Sequence, residues 1–158
     1  MSEVSFHKSY YHSPIGTLLL ISDGKSLLSA NLHMDVENEA VSPDAITKWA
    51  EQELTEYFAG GRTEFTVPLA PKGTEFQRRV WKVLHEIPFG ETKTYGEVAE
   101  MIGNENACRA VGGAVGKNPI LIMIPCHRVI AAGGRPGGFS AGMDIKKALH
   151  KIEGIITK

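Results

Sequence analysis

The chain has 158 residues, of which 42% are apolar, 22% charged and 8% aromatic, with a formal net charge of −1. That length fits one domain or two small ones, and the composition excludes a disordered chain, a collagen-like fibre and a coiled coil. No run approaches the roughly 18 unbroken apolar residues of a membrane helix, Met1-Ser2-Glu3 lacks the basic flank of a signal peptide, and two cysteines are too few for a disulfide scaffold, so a cytoplasmic protein in a reducing compartment is expected.

Gly16–Ser22 (GTLLLIS) and Ser26–Leu32 (SLLSANL) flank Asp23-Gly24, a short-range hairpin signal. Ser5–His12 predicts a further strand. Ser42 and Pro43 predict a helix start, a capping residue followed by proline in the first turn. Ile46, Trp49, Ala50, Tyr57 and Phe58 then recur at helical spacing until Gly60-Gly61 ends the helix. Thr63–Val67 reads as one more strand, closed by Pro68. The stretch Pro68–Gly73 (PLAPKG) reads as a linker, dividing a unit 1–71 from a unit 72–158.

Beyond the linker the pattern turns helical. Thr74-x-x-Gln77 is a capping box, followed by Phe76, Val80, Val83, Leu84 and Ile87 on one face, with Pro88 as the stop. A second box, Thr94-x-x-Glu97, opens a short helix from Tyr95 to Ile102 that Gly103 terminates. A third helix, about Ala107 to Val115, follows a tight connection, and the pair reads as a helix-turn-helix. Its Gly112 and Gly113 each cost about 1 kcal/mol relative to alanine. Two readings account for them: close packing inside the protein, or a smooth face, with Arg109 at its start, that can approach a DNA groove. Charge is compatible with an anionic partner without deciding the matter. Residues 1–71 carry four basic groups against ten acidic, whereas 72–158 carry thirteen against eight.

Ile120–Ile124 (ILIMI) is a continuous apolar run, read as a buried strand that ends at Pro125-Cys126-His127-Arg128. Cys126 then sits at a strand end, beside a histidine and near Arg128. The glycine-rich segment that follows (Gly133-Gly134, Gly137-Gly138) offers backbone N–H groups. Only a thiolate is strongly nucleophilic, and an imidazole oriented by a carboxylate is the usual way to make one at neutral pH. The alternative is an inert core thiol. Cys108 has no adjacent histidine and reads as structural. The cysteines and histidines show neither C-x-x-C nor H-x-x-x-H spacing, so no metal is expected. No glycine motif for a nucleotide cofactor is present either.

Phe76-Gln77, Val80-Trp81, Ile87-Pro88-x-Gly90, Thr94-Tyr95-Gly96, Arg109-Ala110-Val111-Gly112, Asn118-Pro119, Pro125-Cys126-His127-Arg128-Val129, Gly137-Gly138-Phe139-Ser140 and Glu153-Gly154 occur in that order. Together they resemble the O6-alkylguanine-DNA alkyltransferases, densely over residues 74–154 and in layout only before that. The resemblance implies an α+β chain: a small ribonuclease-H-like α/β domain, then a mostly helical domain with a helix-turn-helix. It implies a monomer that binds alkylated double-stranded DNA through the minor groove and flips the damaged nucleotide into a pocket. Cys126 would take the alkyl group from guanine O6, and from thymine O4, irreversibly and without a cofactor. By the same resemblance Cys126, His127 and Glu153 form a water-bridged relay, Tyr95 helps neutralise the departing guanine, and Asn118 ties the helix-turn-helix to the active-site turn. Val129, Phe139 and Ser140 line the base pocket. Arg109 is the finger that fills the vacated stack, with Ala110, Gly112, Gly113, Tyr95 and Arg128 facing the DNA. Two departures stand out. Residues 1–71 have no cysteine for the zinc site of some relatives, and Phe139 stands where tyrosine is common. Two other functions compete: a lesion-binding module without chemistry, which the presence of Cys126 demotes, and a small thiol-dependent hydrolase.

Overall fold

The computed structural model describes residues 5–33 and 41–157; the Met1-Ser2-Glu3 segment read above for targeting lies outside them. The chain divides into two compact units, Met1–Lys72 and Gly73–Lys158. Among the described residues no helix is long and apolar enough to cross a membrane.

In the first unit β1 (His7–Ser13), β2 (Gly16–Ser22) and β3 (Leu27–Leu32) form an antiparallel sheet in that order. Alternation along β2 turns Leu18, Leu20 and Ser22 inward. Asp23 closes the hairpin, its Oδ1 accepting from the N–H groups of Lys25 and Ser26 at 2.9 Å each. Helix α1 (Ala45–Phe58) packs on the sheet through Ala50, Leu54 and Tyr57.

Three expectations fail here, the first and the last for identifiable reasons. The helix begins after Asp44, not at Ser42-Pro43. Asp44 Oδ1 accepts from Thr47 N at 2.8 Å while Asp44 N donates to Thr47 Oγ1 at 3.0 Å, a reciprocal cap. Ser42 is drawn instead to the edge of β1, where its Oγ accepts from Lys8 N at 3.0 Å. The helix also leaves Trp49, placed by its spacing on the apolar face, 42% exposed. Thr63–Val67 is not a strand. Its backbone donors are taken by a buried carboxylate: Glu53 accepts from Thr66 N and Val67 N at 2.9 Å each and from Thr66 Oγ1 at 2.6 Å. Arg62 Nη1 lies 3.0 Å from the same group. A side chain thus supplies what a neighbouring strand would have supplied.

The second unit comprises α2 (Glu75–His85), β4 (Lys93–Thr94), α3 (Tyr95–Met101), α4 (Cys108–Gly116), β5 (Val129–Ile130) and α5 (Met143–Glu153). Both predicted capping boxes form, at Thr74/Gln77 and Thr94/Glu97. Helix α2 packs against α3 and α4, burying Val80, Trp81 and Leu84, and Trp81 Nε1 donates to Ala114 O at 2.8 Å. Strands β4 and β5 pair in parallel, Lys93 with Val129 and Thr94 with Ile130. This two-residue ladder sets the start of α3 beside the segment that carries Cys126. A small sheet domain followed by a helical domain with a helix-turn-helix (α3–α4) is the expected α+β class.

Ile120–Ile124 is fully buried but is not a strand. It folds into consecutive turns, with Ile122 at φ 72° and Ile124 N donating to Ile120 O at 3.1 Å. An apolar run reports burial and cannot by itself distinguish a strand from a coiled segment held by side chains. The holder is Asn118, whose Oδ1 accepts from Ile120 N at 3.0 Å while Nδ2 donates to Ile124 O at 2.7 Å. Cys126 accordingly sits not at a strand end but at the start of a one-turn 3-10 helix, Cys126–Arg128.

Candidate active site

The turn that Asn118 holds delivers Cys126 to a closed position, 2% exposed. Asn118 Nδ2 also donates to Cys126 Sγ at 3.1 Å. The N–H groups of Cys126 and His127, at the start of the 3-10 turn, act on the sulfur as well. These donors, and not the glycine-rich segment expected from the sequence, are the ones that favour a thiolate. Burial nevertheless prevails in the resting protein and pushes the Cys126 thiol up to about 11, with the Asn118 amide and the Lys146 charge pulling the other way.

Behind the sulfur lies a buried charged cluster. His127 Nε2 is 2.5 Å from Glu153 Oε2. Since the carboxylate accepts, Nε2 carries the proton and Nδ1 keeps its lone pair. Nδ1 is buried and has no hydrogen-bond partner. Complete burial holds His127 below the usual histidine range, opposed by Glu153. Glu153, at the end of α5, also receives Arg128 Nε at 2.8 Å, Arg128 Nη2 at 3.2 Å and Gly90 N at 3.1 Å. Arg128 Nη1 donates to Ile87 O at 2.6 Å. Arg128 is therefore buried and committed to the interior, which corrects its expected place on the DNA-facing surface. Its guanidinium has the one carboxylate partner that a buried arginine needs.

Tyr95, at the first position of α3, forms a third side. Burial raises its phenol above the ordinary value, and the nearby Cys126 and Cys108 thiols add to this. Gly137 closes on the ring from the loop between β5 and α5. A Cβ there would meet the Tyr95 hydroxyl and Ala131 N within 3.4 Å, and its φ of 72° disfavours any other residue. Val129 is buried beside the turn, Phe139 is half-buried and Ser140 is exposed. Arg109, Ala110 and Gly113 form an exposed face of α4, with Gly112 half-buried against Tyr95. The fold thus bonds Asn118 to the Cys126 sulfur and, in a separate pair, the adjacent His127 to Glu153, and places Tyr95 near the thiol.

Two residues of the site escaped sequence reasoning. Lys146 is buried, its Nζ donating to Val129 O at 2.8 Å and Gly138 O at 3.0 Å. His150 Nε2 donates to His127 O at 2.6 Å. A signal for both existed: Lys146, Leu149, His150 and Glu153, the buried set of α5, have the i, i+3, i+4, i+7 spacing of a core face. Polar residues at such positions mark a buried polar site. Among the described residues no group of three or more His, Cys, Asp or Glu side chains converges to hold a metal.

Residues 6–71 match the model of the 6-O-methylguanine DNA methyltransferase ribonuclease-like domain, and residues 75–155 match that of the DNA-binding domain of the same family. A methylated-DNA–protein-cysteine methyltransferase of Methanosarcina acetivorans is 48% identical over 149 residues, covering 91% of this chain and 96% of that protein. The protein of that name from Haemophilus influenzae is 41% identical, covering 96% and 88%. A crystal structure of the Mycobacterium tuberculosis OGT in complex with DNA superposes with a TM-score of 0.84 at 45% identity, covering 93% of this chain and 92% of that one. The thiol site just described lies within a chain that belongs to the 6-O-methylguanine DNA methyltransferase family.

Proposed function

We propose that this chain repairs DNA by moving the alkyl group of O6-alkylguanine, and of O4-alkylthymine, onto Cys126, once per protein molecule. The observation that carries the reading is the Cys126 site itself. A buried thiol is held by Asn118, next to a histidine whose Nε2 is fixed on a carboxylate and whose Nδ1 lone pair is unclaimed.

The chemistry follows from that arrangement. The thiol proton passes to His127 Nδ1 through a bridging water, and Glu153 stabilises the imidazolium formed. The sulfur attacks the alkyl carbon. An S–C bond forms as the C–O6 bond breaks, and the electron pair stays on guanine, which takes up a proton. Tyr95 is the donor that eases that charge. The product is a thioether, whose S–C bond is inert to water, so turnover stops.

Duplex DNA is met through the minor groove by α3 and α4. Gly113 and Gly116 have nothing within 4 Å of where a Cβ would stand, so internal packing does not require them. Two glycines at exposed helix positions cost about 1 kcal/mol each, and an outside surface that must come close accounts for them. Arg109, at the head of that face, enters the stack as the base leaves, and Val129, Phe139 and Ser140 line the pocket that receives it. The protein works as a cytoplasmic monomer, without cofactor or metal.

Intact-mass measurement after incubation with DNA containing O6-methylguanine tests the reading. One CH₂ gained per molecule, lost in Cys126→Ala and kept in Cys108→Ala, is the expected result. Tight binding with no mass change would make the chain a lesion-binding module, and multiple turnovers would make it a hydrolase.

A further inference from the structure

We propose that Lys146 is the counter-charge of the Cys126 thiolate and the tie that positions the wall of the base pocket, so that alkyl transfer needs Lys146 as an ammonium ion. The inference rests on the function proposed above. Lys146 projects from the first turns of α5 and is 1% exposed. Its hydrogen bonds run to two main-chain carbonyls, Val129 O at 2.8 Å and Gly138 O at 3.0 Å. The first lies three residues beyond the nucleophile and the second next to Phe139, whose ring centroid is 5.8 Å from Nζ. One side chain therefore joins the Cys126 segment to the loop opposite.

Joining two carbonyls needs only a neutral donor. A buried ammonium is costly unless an anion answers it. On the elements around Lys146, Glu97 and Glu100 of α3 and Asp144, Lys147 and Lys151 of α5 are exposed. The titratable groups there that are not exposed are Cys126, His127 and Arg128 of the 3-10 turn, Tyr95 of α3, and His150 and Glu153 of α5 itself. Glu153, the one carboxylate among them, is engaged by His127, Arg128 and Gly90. The group whose charge reaches Lys146 is Cys126, and the effect is mutual. The anion that answers Lys146 is thus present only when Cys126 ionises. The ammonium stabilises the reactive state of the site and gains nothing from the resting thiol.

A consequence is an unusual pH profile. Burial lowers Lys146 to about 8, so its charge is lost as pH rises through that value. A simple thiol reaction accelerates with pH across this range. Here the thiol proton passes to His127 and stays in the protein, so the reactive state has the proton count of the Lys146 ammonium form and the transfer rate should instead fall above pH 8.

The experiment has two readouts. The first is the ultraviolet absorbance of the Cys126 thiolate, taken as the difference spectrum against Cys126→Ala across a pH titration, which requires no alkylated guanine. The second is the single-turnover rate with free O6-benzylguanine between pH 6 and 10, followed by intact mass. Lys146→Met should move the thiolate midpoint upward, slow transfer at neutral pH on the order of tenfold or more, and abolish the alkaline fall. Lys146→Arg keeps its charge far above pH 10, and should push the fall in rate beyond that point even where Lys146→Met does not fold. An unchanged thiolate midpoint in a folded Lys146→Met, or a fall near pH 8 that persists in Lys146→Arg, overturns the proposal. A wild-type protein that shows the thiolate shift but no transfer would overturn the proposed function instead.

Discussion

Arg128 grips both oxygens of the Glu153 carboxylate, Nε at 2.8 Å from Oε1 and Nη2 at 3.2 Å from Oε2. The same Oε2 accepts from His127, so one carboxylate is shared by a permanent cation and by the imidazole proposed as the base. The arginine keeps Glu153 ionised, and the ionised carboxylate keeps the histidine proton on Nε2. Arg128→Met should therefore leave a buried charge short of its partner, a loss of roughly 3–5 kcal/mol, and should suppress transfer through the wrong His127 tautomer. Arg128→Lys restores charge without the fork and should recover stability more than rate. Urea unfolding and single-turnover mass measurement separate the two effects; a fully active, fully stable Arg128→Met would refute the clamp.

Asn118 makes three bonds inside one buried turn, to Ile120 N, Ile124 O and Cys126 Sγ. Asn118→Ala leaves the buried Ile120 N–H unmet, at about 1–3 kcal/mol, while Ile124 O keeps the Cys126 N–H at 2.8 Å. It also removes a donor that lowers the Cys126 pKa. The expected outcome is a lower melting temperature together with a higher thiolate titration point. Asn118→Asp keeps the bond to Ile120 but sets an anion beside the sulfur, so its transfer rate should fall below that of the alanine variant. Equal rates in all three proteins would show that the amide serves the turn alone.

The sequence was legible where a local rule acts by itself. The hairpin at Asp23-Gly24, the capping boxes at Thr74 and Thr94, and the helix pair that follows all depend on neighbours a few residues apart. It was least legible where a distant side chain substitutes for the backbone. Glu53 takes the donors of Thr66 and Val67, and Asn118 folds Ile120–Ile124 into turns; in both places a strand-like composition forms no strand. Arg128 was misplaced for a related reason. A charged residue is solvated by default, and the acid that overrides this lies 25 residues away. Cys126 and the histidine beside it were legible from the residues themselves, and Tyr95, Asn118 and Glu153 came from the resemblance, whereas the spacing that marks Lys146 and His150 acquires its meaning only from the three-dimensional arrangement.

The thiol should leave a mark on the pH dependence of stability. Burial raises Cys126 from 9.0 to about 11, so the unfolded chain ionises first and the native chain holds its proton longer. The stability this group contributes is complete below pH 9 and is lost as pH rises through 11. Lys146 acts in the opposite sense: lowered from 10.5 to about 8, it relieves a buried charge as pH rises from 8 to 10.5. Cys126 and Lys146 act on each other's titration, so the thiol is isolated in a Lys146→Met background. There the protein with Cys126 should lose stability relative to its Cys126→Ala counterpart between pH 9 and 11, and parallel stability curves would mean that the thiol titrates normally.

Arg109 stands exposed in the first turn of α4, and its expected role is to fill the space left by the flipped base. Unstacking and unpairing a base costs a few kcal/mol, and a side chain that occupies the gap lowers the energy of the extrahelical state. A phosphate contact predicts something different: Arg109→Ala would weaken binding to all DNA alike and reduce the salt slope by about one. As a finger, the same substitution should slow repair in duplex DNA far more than reaction with free O6-benzylguanine, which requires no flipping. A mismatch opposite the lesion lowers the cost of extrusion, so it should restore part of the lost duplex rate. Single-turnover rates on the free base, the paired lesion and the mispaired lesion decide between the two roles. Equal slowing on all three would exclude the finger.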